Sequence, residues 1–135
     1  MGWFTKRTNE KKVRLATLFV FFKHDLKQTY PLHNQQYLLA RNSKLIFNEG
    51  EPVQLNGNRL DIGHDQILTR SISREHALLL KGQNGKFTIR DNSTYGSRVN
   101  GLPITKGVDH ILEDEDKITL GESGSFLLFQ IKYSY

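Results

Sequence analysis

His76-Ala77-Leu78-Leu79-Leu80-Lys81-Gly82-Gln83-Asn84-Gly85-Lys86-Phe87-Thr88-Ile89-Arg90 decides the fold class of this chain. Ala77 to Leu80 is a short apolar run, long enough for a buried strand and too short for a core helix. Gly82 to Gly85 is turn chemistry. Beyond it, Lys86 to Arg90 alternates with Phe87 and Ile89 on one face, and a period of two belongs to a strand. Strand, turn and strand thus follow one another within fifteen residues.

The same rhythm continues in both directions. Downstream, Asp91 to Gly96 is a polar loop, Arg98-Val99 a short strand, and Asn100-Gly101 a hairpin signal with Leu102 and Ile104 beyond it. Lys117 to Leu120 and Phe126 to Tyr133 are further strands, the first preceded by acidic Glu113-Asp114-Glu115-Asp116. Upstream, Val13 to Phe22 is a long strand rich in aromatic and β-branched residues, whose Phe19, Phe21 and Phe22 are expected in the core. His24 to Asn34, polar and holding Pro31, is expected to be a connection. Tyr37-Leu38-Leu39, running into Ala40-Arg41-Asn42, predicts one strand and Lys44 to Phe47 another. Turn chemistry at Asn48 to Pro52 leads into Val53-Gln54-Leu55, a type I′ turn signal at Asn56-Gly57 and an alternating segment, Arg59 to Ile62. No window sustains a 3.6-residue apolar period. Short strands with turn signals every 8–12 residues or so predict an all-β sandwich or barrel.

Composition bounds the function. The 135 residues suit one domain, and the absence of cysteine excludes a disulfide framework and thiolate metal sites. The apolar run Leu15 to Phe22 is too short to span a bilayer, so no membrane role is expected. The net charge of +5 is uneven. Residues 1–50 hold nine Lys/Arg against three Asp/Glu, residues 51–100 seven against five, and residues 101–135 three against six. A basic first half favours anionic partners. Residues 1–12 are expected to form a loosely ordered basic segment. The phenylalanines of 13–22 look like core residues and not stacking platforms, which disfavours direct nucleic-acid binding.

Enzyme signatures are missing: there is no Walker loop, G-x-S-x-G, H-E-x-x-H or C-x-x-C. The five histidines lack ligand spacing. No catalytic residue, metal or cofactor is therefore assigned. The remaining concentration of chemistry is Ser71-Ile72-Ser73-Arg74-Glu75-His76. A phosphorylated residue brings nearly two negative charges and three acceptor oxygens, so its receptor supplies guanidinium forks and hydroxyl or backbone donors. Ser73 offers a hydroxyl and its own N–H, and Arg74 a fork. On spacing alone, a merely solvated turn fits as well.

The loop Asp91-Asn92-Ser93-Thr94-Tyr95-Gly96-Ser97-Arg98-Val99-Asn100-Gly101 shifts that balance. With S-R-E-H at 73–76 and L-E-D-E-D-K-I-T-L-G at 112–121, it resembles the pattern of the forkhead-associated (FHA) family. That resemblance spans roughly residues 13–135 and implies a phosphothreonine-binding β-sandwich of two twisted, largely antiparallel sheets with binding loops at one end. Within the family the chain looks most like the nibrin group, the phosphoprotein-binding subunit of a double-strand-break repair nuclease complex, and its fungal equivalents. The similarity lies in S-I-S-R-E-H-A, R-D-N-S-T-Y-G-S-R-V-N and I-T-L-G-E-S-G-S-F. The BRCT pair that follows the domain in that group has no counterpart here.

The resemblance implies a nuclear, non-catalytic module that recruits a phosphothreonine-containing protein in DNA repair or damage signalling. The alternative is a docking domain of the same fold with a degenerate phosphate pocket. By this resemblance Ser73 donates to the phosphate, Arg74 adds charge at its rim, and Thr94 and Tyr95 lie beside the peptide. Ser71 falls where the residue three after the phosphothreonine is often read. His76 and Asn100 support the loops. The arginine that completes the site has two alignments. Arg41 is preferred, which requires an insertion at about 48–65 and has Ala40 where the family has glycine. Ile62-Gly63-His64 keeps the glycine and replaces the arginine with His64.

Overall fold

Ala16, Leu18, Val20 and Phe22 are buried while the residues between them are half-buried, so β1 (Leu15–Phe22) turns one face to the core. The computed structural model describes residues 11–124 and 126–135; residues 1–10 and with them most of the expected basic segment lie outside the described residues. Among the described residues there is no helix, and the strands following β1 are β2 (Asp25–Leu32), β3 (Gln36–Ile46), β4 (Val53–Asn56), β5 (Arg59–His64), β6 (Ala77–Lys81), β7 (Phe87–Asp91), β8 (Ser97–Val99), β9 (Leu102–Pro103), β10 (His110–Ile111), β11 (Lys117–Leu120) and β12 (Leu127–Ser134).

They form two six-stranded sheets, ordered β2-β1-β12-β11-β8-β9 and β10-β7-β6-β3-β5-β4. Every pairing is antiparallel except β3 with β5. Leu18, Val20, Phe129 and Ile131 of the first sheet share one core with Tyr37, Leu39, Ile62, Leu79, Phe87 and Ile89 of the second. Each such side chain contributes about 1.5–3 kcal/mol relative to exposure. The expected all-β sandwich is the fold observed.

Several local expectations need correction. His24 to Asn34 is mostly β2 and not a connection. It is an edge strand, so most of its side chains meet water, and Pro31, which has no N–H for a ladder, is tolerated there. The hairpin before it turns on Lys23 and His24, both at positive φ (49° and 72°), a conformation uncommon for any residue but glycine. The two strands expected in 37–47 are one long β3, its pairing interrupted between Asn42 and Ile46. Residues 48–65 contain the β4–β5 hairpin, which reverses at Gly57-Asn58 and not at Asn56-Gly57. Gly57, at φ 64°, stands at the first central position, as a type II′ turn requires. Phe22 is buried, but Phe19 and Phe21 are half-buried on the outer face, with Lys132 Nζ 4.8 Å from the Phe19 ring centre. The short β10 was not anticipated.

Candidate anion-binding cleft

Loops at one end of the sandwich converge on an open cleft of about 360 Å³. The first descends from β5. Asp65 accepts the N–H groups of Ile67 and Leu68, and Thr69 donates its hydroxyl to the Gly63 carbonyl. Ile72 then plunges fully into the core and pins the middle of the loop. Its neighbours Ser71 and Ser73 are consequently held against other segments. Ser71 Oγ accepts the Glu122 N–H at 2.7 Å. Gly121, at φ 57°, passes so close that a Cβ there would overlap the Ser71 carbonyl oxygen.

Ser73 is the centre of the cleft's bonding. Its carbonyl accepts the Arg41 N–H (3.1 Å), and its own N–H donates to His76 Nδ1 (2.9 Å). Its Oγ accepts the Thr94 N–H at 3.1 Å, which leaves the Ser73 O–H to donate outward. The serine therefore has a hydroxyl hydrogen to offer but not the backbone N–H also expected from sequence, because His76 holds that hydrogen.

His76 is fully buried, and since Nδ1 accepts from Ser73, the ring hydrogen sits on Nε2 and donates to the Gly96 carbonyl at 2.9 Å. Burial pushes its pKa below the usual imidazole value, against the opposing pull of Gly96 and Asp91. One neutral imidazole thus joins the 71–76 loop to the 91–97 loop. Behind it lies buried Asp91, whose Oδ1 accepts both the Ser93 and Ser97 hydroxyls at 2.7 Å. Ser93 Oγ in turn accepts the Gly96 N–H at 2.7 Å. This network was missed as a unit. Its signal was Asp91 falling inward in the Phe87-Ile89 alternation, with hydroxyls two and six residues on.

Arg41 lines the cleft with Ser71, Ser73, Arg74, Thr94 and Tyr95. Its Nε donates to the Ile72 carbonyl at 2.7 Å, and its Nη1 lies 3.3 Å from His64 Nδ1. His64 is not itself among the lining residues, whereas Arg70 and Asn92, not singled out in the sequence, are. Three arginines (41, 70 and 74) face one carboxylate, Glu75, so the cleft favours anions. Asn100 stands apart: it donates to Asp116 Oδ1 (2.8 Å) and accepts the Lys117 N–H (2.9 Å), tying the β8–β9 turn to β11. The acidic run 113–116 does not line the cleft either. Among the described residues no cluster of three His, Asp or Glu is arranged to hold a metal ion.

A two-sheet β-sandwich with an arginine- and serine-lined cleft between its end loops defines a binding module. The family model of the FHA domain matches residues 56–121, a span that includes every residue assigned to the site except Arg41. The chain carries an FHA domain. A search of curated proteins found no match. Among solved structures it is similar to the yeast Pml1 splicing factor, described with its integration into the RES complex (20% identity, 99% of this chain and 90% of that one, TM-score 0.67). It is also similar to the FHA domain of CT664 protein from Chlamydia trachomatis (21%, 90% and 98%, 0.62). A third is the N-terminal FHA domain of S. cerevisiae Rad53p, solved with a phosphothreonine peptide (19%, 87% and 94%, 0.61). FHA domains are interaction modules and not enzymes.

Proposed function

We propose that this chain is a reader of phosphothreonine in a partner protein, with Ser73 and Arg41 as the principal phosphate donors. The observation that carries the reading is that Ser73, whose hydroxyl hydrogen is left to donate, and Arg41 line one cationic cleft. Hydrogen bonds to a charged group are worth about 1.5–3 kcal/mol each, so a few support micromolar recognition once ordering losses are met. The Rad53p domain solved with a phosphothreonine peptide supports the same ligand class. Arg74 and Arg70 add charge at the rim, and Thr94, Tyr95 and Ser71 flank the peptide. The nibrin-like character of S-I-S-R-E-H-A and R-D-N-S-T-Y-G-S-R-V-N supports a nuclear role in double-strand-break repair or damage signalling, with a repair nuclease complex as the assembly served.

The test is a peptide library with a central phosphothreonine, set against the same library unphosphorylated. Binding is expected from the phosphorylated set only. Equal retention of both would replace this reading with that of a phosphorylation-independent docking domain.

A further inference from the structure

The arginine that faces the cleft belongs to β3, but a side chain that steadies it comes from β5. Parallel pairing sets Asn42 opposite Gly63, which brings His64 alongside Arg41. There His64 Nδ1 lies 3.3 Å from Arg41 Nη1. A guanidinium has donors only, so Nδ1 must be the acceptor and the imidazole hydrogen sits on Nε2. From another direction the Ile72 carbonyl takes the Nε hydrogen at 2.7 Å. Two of the arginine's hydrogens are thereby committed to holding it, and the rest remain for an anion.

His64 is itself well anchored. Its carbonyl accepts the Phe47 N–H at 3.0 Å. Gly63 packs on the Phe47 backbone closely enough that a Cβ would overlap it. Asp65, the next residue, closes the following turn through Ile67 and Leu68. The histidine does not line the cleft, so its route to a bound phosphate runs through Arg41.

We propose that His64 is a positioning residue for phosphothreonine binding: it orients the Arg41 guanidinium without touching the phosphate. The inference rests on the phosphothreonine reading above. It gives the β4–β5 hairpin a role in recognition, because that hairpin delivers the imidazole. A long side chain loses rotamer freedom on binding. Held in advance by Ile72 and His64, Arg41 meets that cost during folding.

The experiment is a double-mutant cycle, read as the affinity for one phosphothreonine peptide taken from the library and for its unphosphorylated twin. His64→Leu is expected to weaken phosphopeptide binding roughly three- to tenfold, the scale of coupling between contacting side chains. His64→Asn is expected to restore most of it, since its Oδ1 can accept where Nδ1 did. In an Arg41→Ala background, His64→Leu should change nothing further. Melting temperatures of all variants are measured alongside. If His64→Leu lowers stability, the asparagine rescue and the Arg41 background still decide the matter. Wild-type affinity in the leucine variant overturns the proposal. So does an asparagine variant as weak as the leucine one. A loss that persists without Arg41 overturns it in favour of direct phosphate contact by His64. A wild-type chain indifferent to phosphorylation removes the underlying reading as well, and so is told apart from failure of this inference alone.

Discussion

Ser73 has every backbone polar group committed and only its hydroxyl hydrogen left to offer. Ser73→Ala should therefore cost about 1–3 kcal/mol of phosphopeptide affinity by calorimetry. The melting temperature should change little, because the Thr94 amide it also serves lies at an exposed residue. His76 acts on the same loop from behind. Its folded pKa lies below the unfolded value of about 6.5, so the folded state binds a proton less readily than the unfolded chain. The stability it contributes is full above that pH and falls as the pH drops below it. Protonation would put a hydrogen on Nδ1 where the Ser73 N–H already points. Denaturant titrations at pH 7.5 and pH 5, set beside a His76→Asn chain, should show the extra acid loss only in the wild type. Ser73 and Arg74 were legible because hydroxyl and guanidinium cluster ahead of a strand. The commitment of the Ser73 N–H was not, because it depends on where an imidazole three residues away is packed.

At the scale of elements, β2 and β4 carry the clearest lesson. Each is an edge strand, and an edge exposes unpaired backbone groups. The Gln28 side chain of β2 covers part of the β4 edge: its Oε1 accepts the Val53 N–H at 3.0 Å and its Nε2 donates to the Val53 carbonyl. Tyr30 adds its hydroxyl to the same carbonyl at 2.8 Å. A side-chain amide here stands in for a neighbouring strand and joins the two sheets. Gln28→Leu would leave the Val53 N–H without that acceptor at a fully buried residue, at a cost of about 1–3 kcal/mol. A lower urea midpoint, with phosphopeptide affinity retained, would show it. β2 was illegible in the sequence because apolar alternation marks strands with a buried face, and this one has little of it. Buried strands such as β6 and β7 announced themselves for the opposite reason.

Across the whole molecule, Tyr133 of β12 reaches from one sheet to the other. Its hydroxyl donates to the Leu112 carbonyl at 2.7 Å and accepts the Phe87 N–H at 3.0 Å. Burial above all pushes its pKa up from 10.0 to about 12. The folded state thus keeps a proton that the unfolded chain releases, so stability is full below pH 10 and lost as the pH climbs towards 12. A shift of that size amounts to about 2–3 kcal/mol. Tyr133→Phe should be less stable at neutral pH and show a shallower alkaline decline, followed by fluorescence-detected unfolding. By itself the sequence determined the strand-rich fold class and the hydroxyl and guanidinium types in the loops that line the cleft. Those follow from period, turn residues and side-chain chemistry, which are local properties. Only the tertiary structure decided that Arg41 lines the cleft while His64 stands behind it, that His76 and Asp91 brace the two loops together, and that a polar segment is a strand. The parallel pairing of β3 with β5 joins residues 18 to 21 positions apart, and no local pattern records that register.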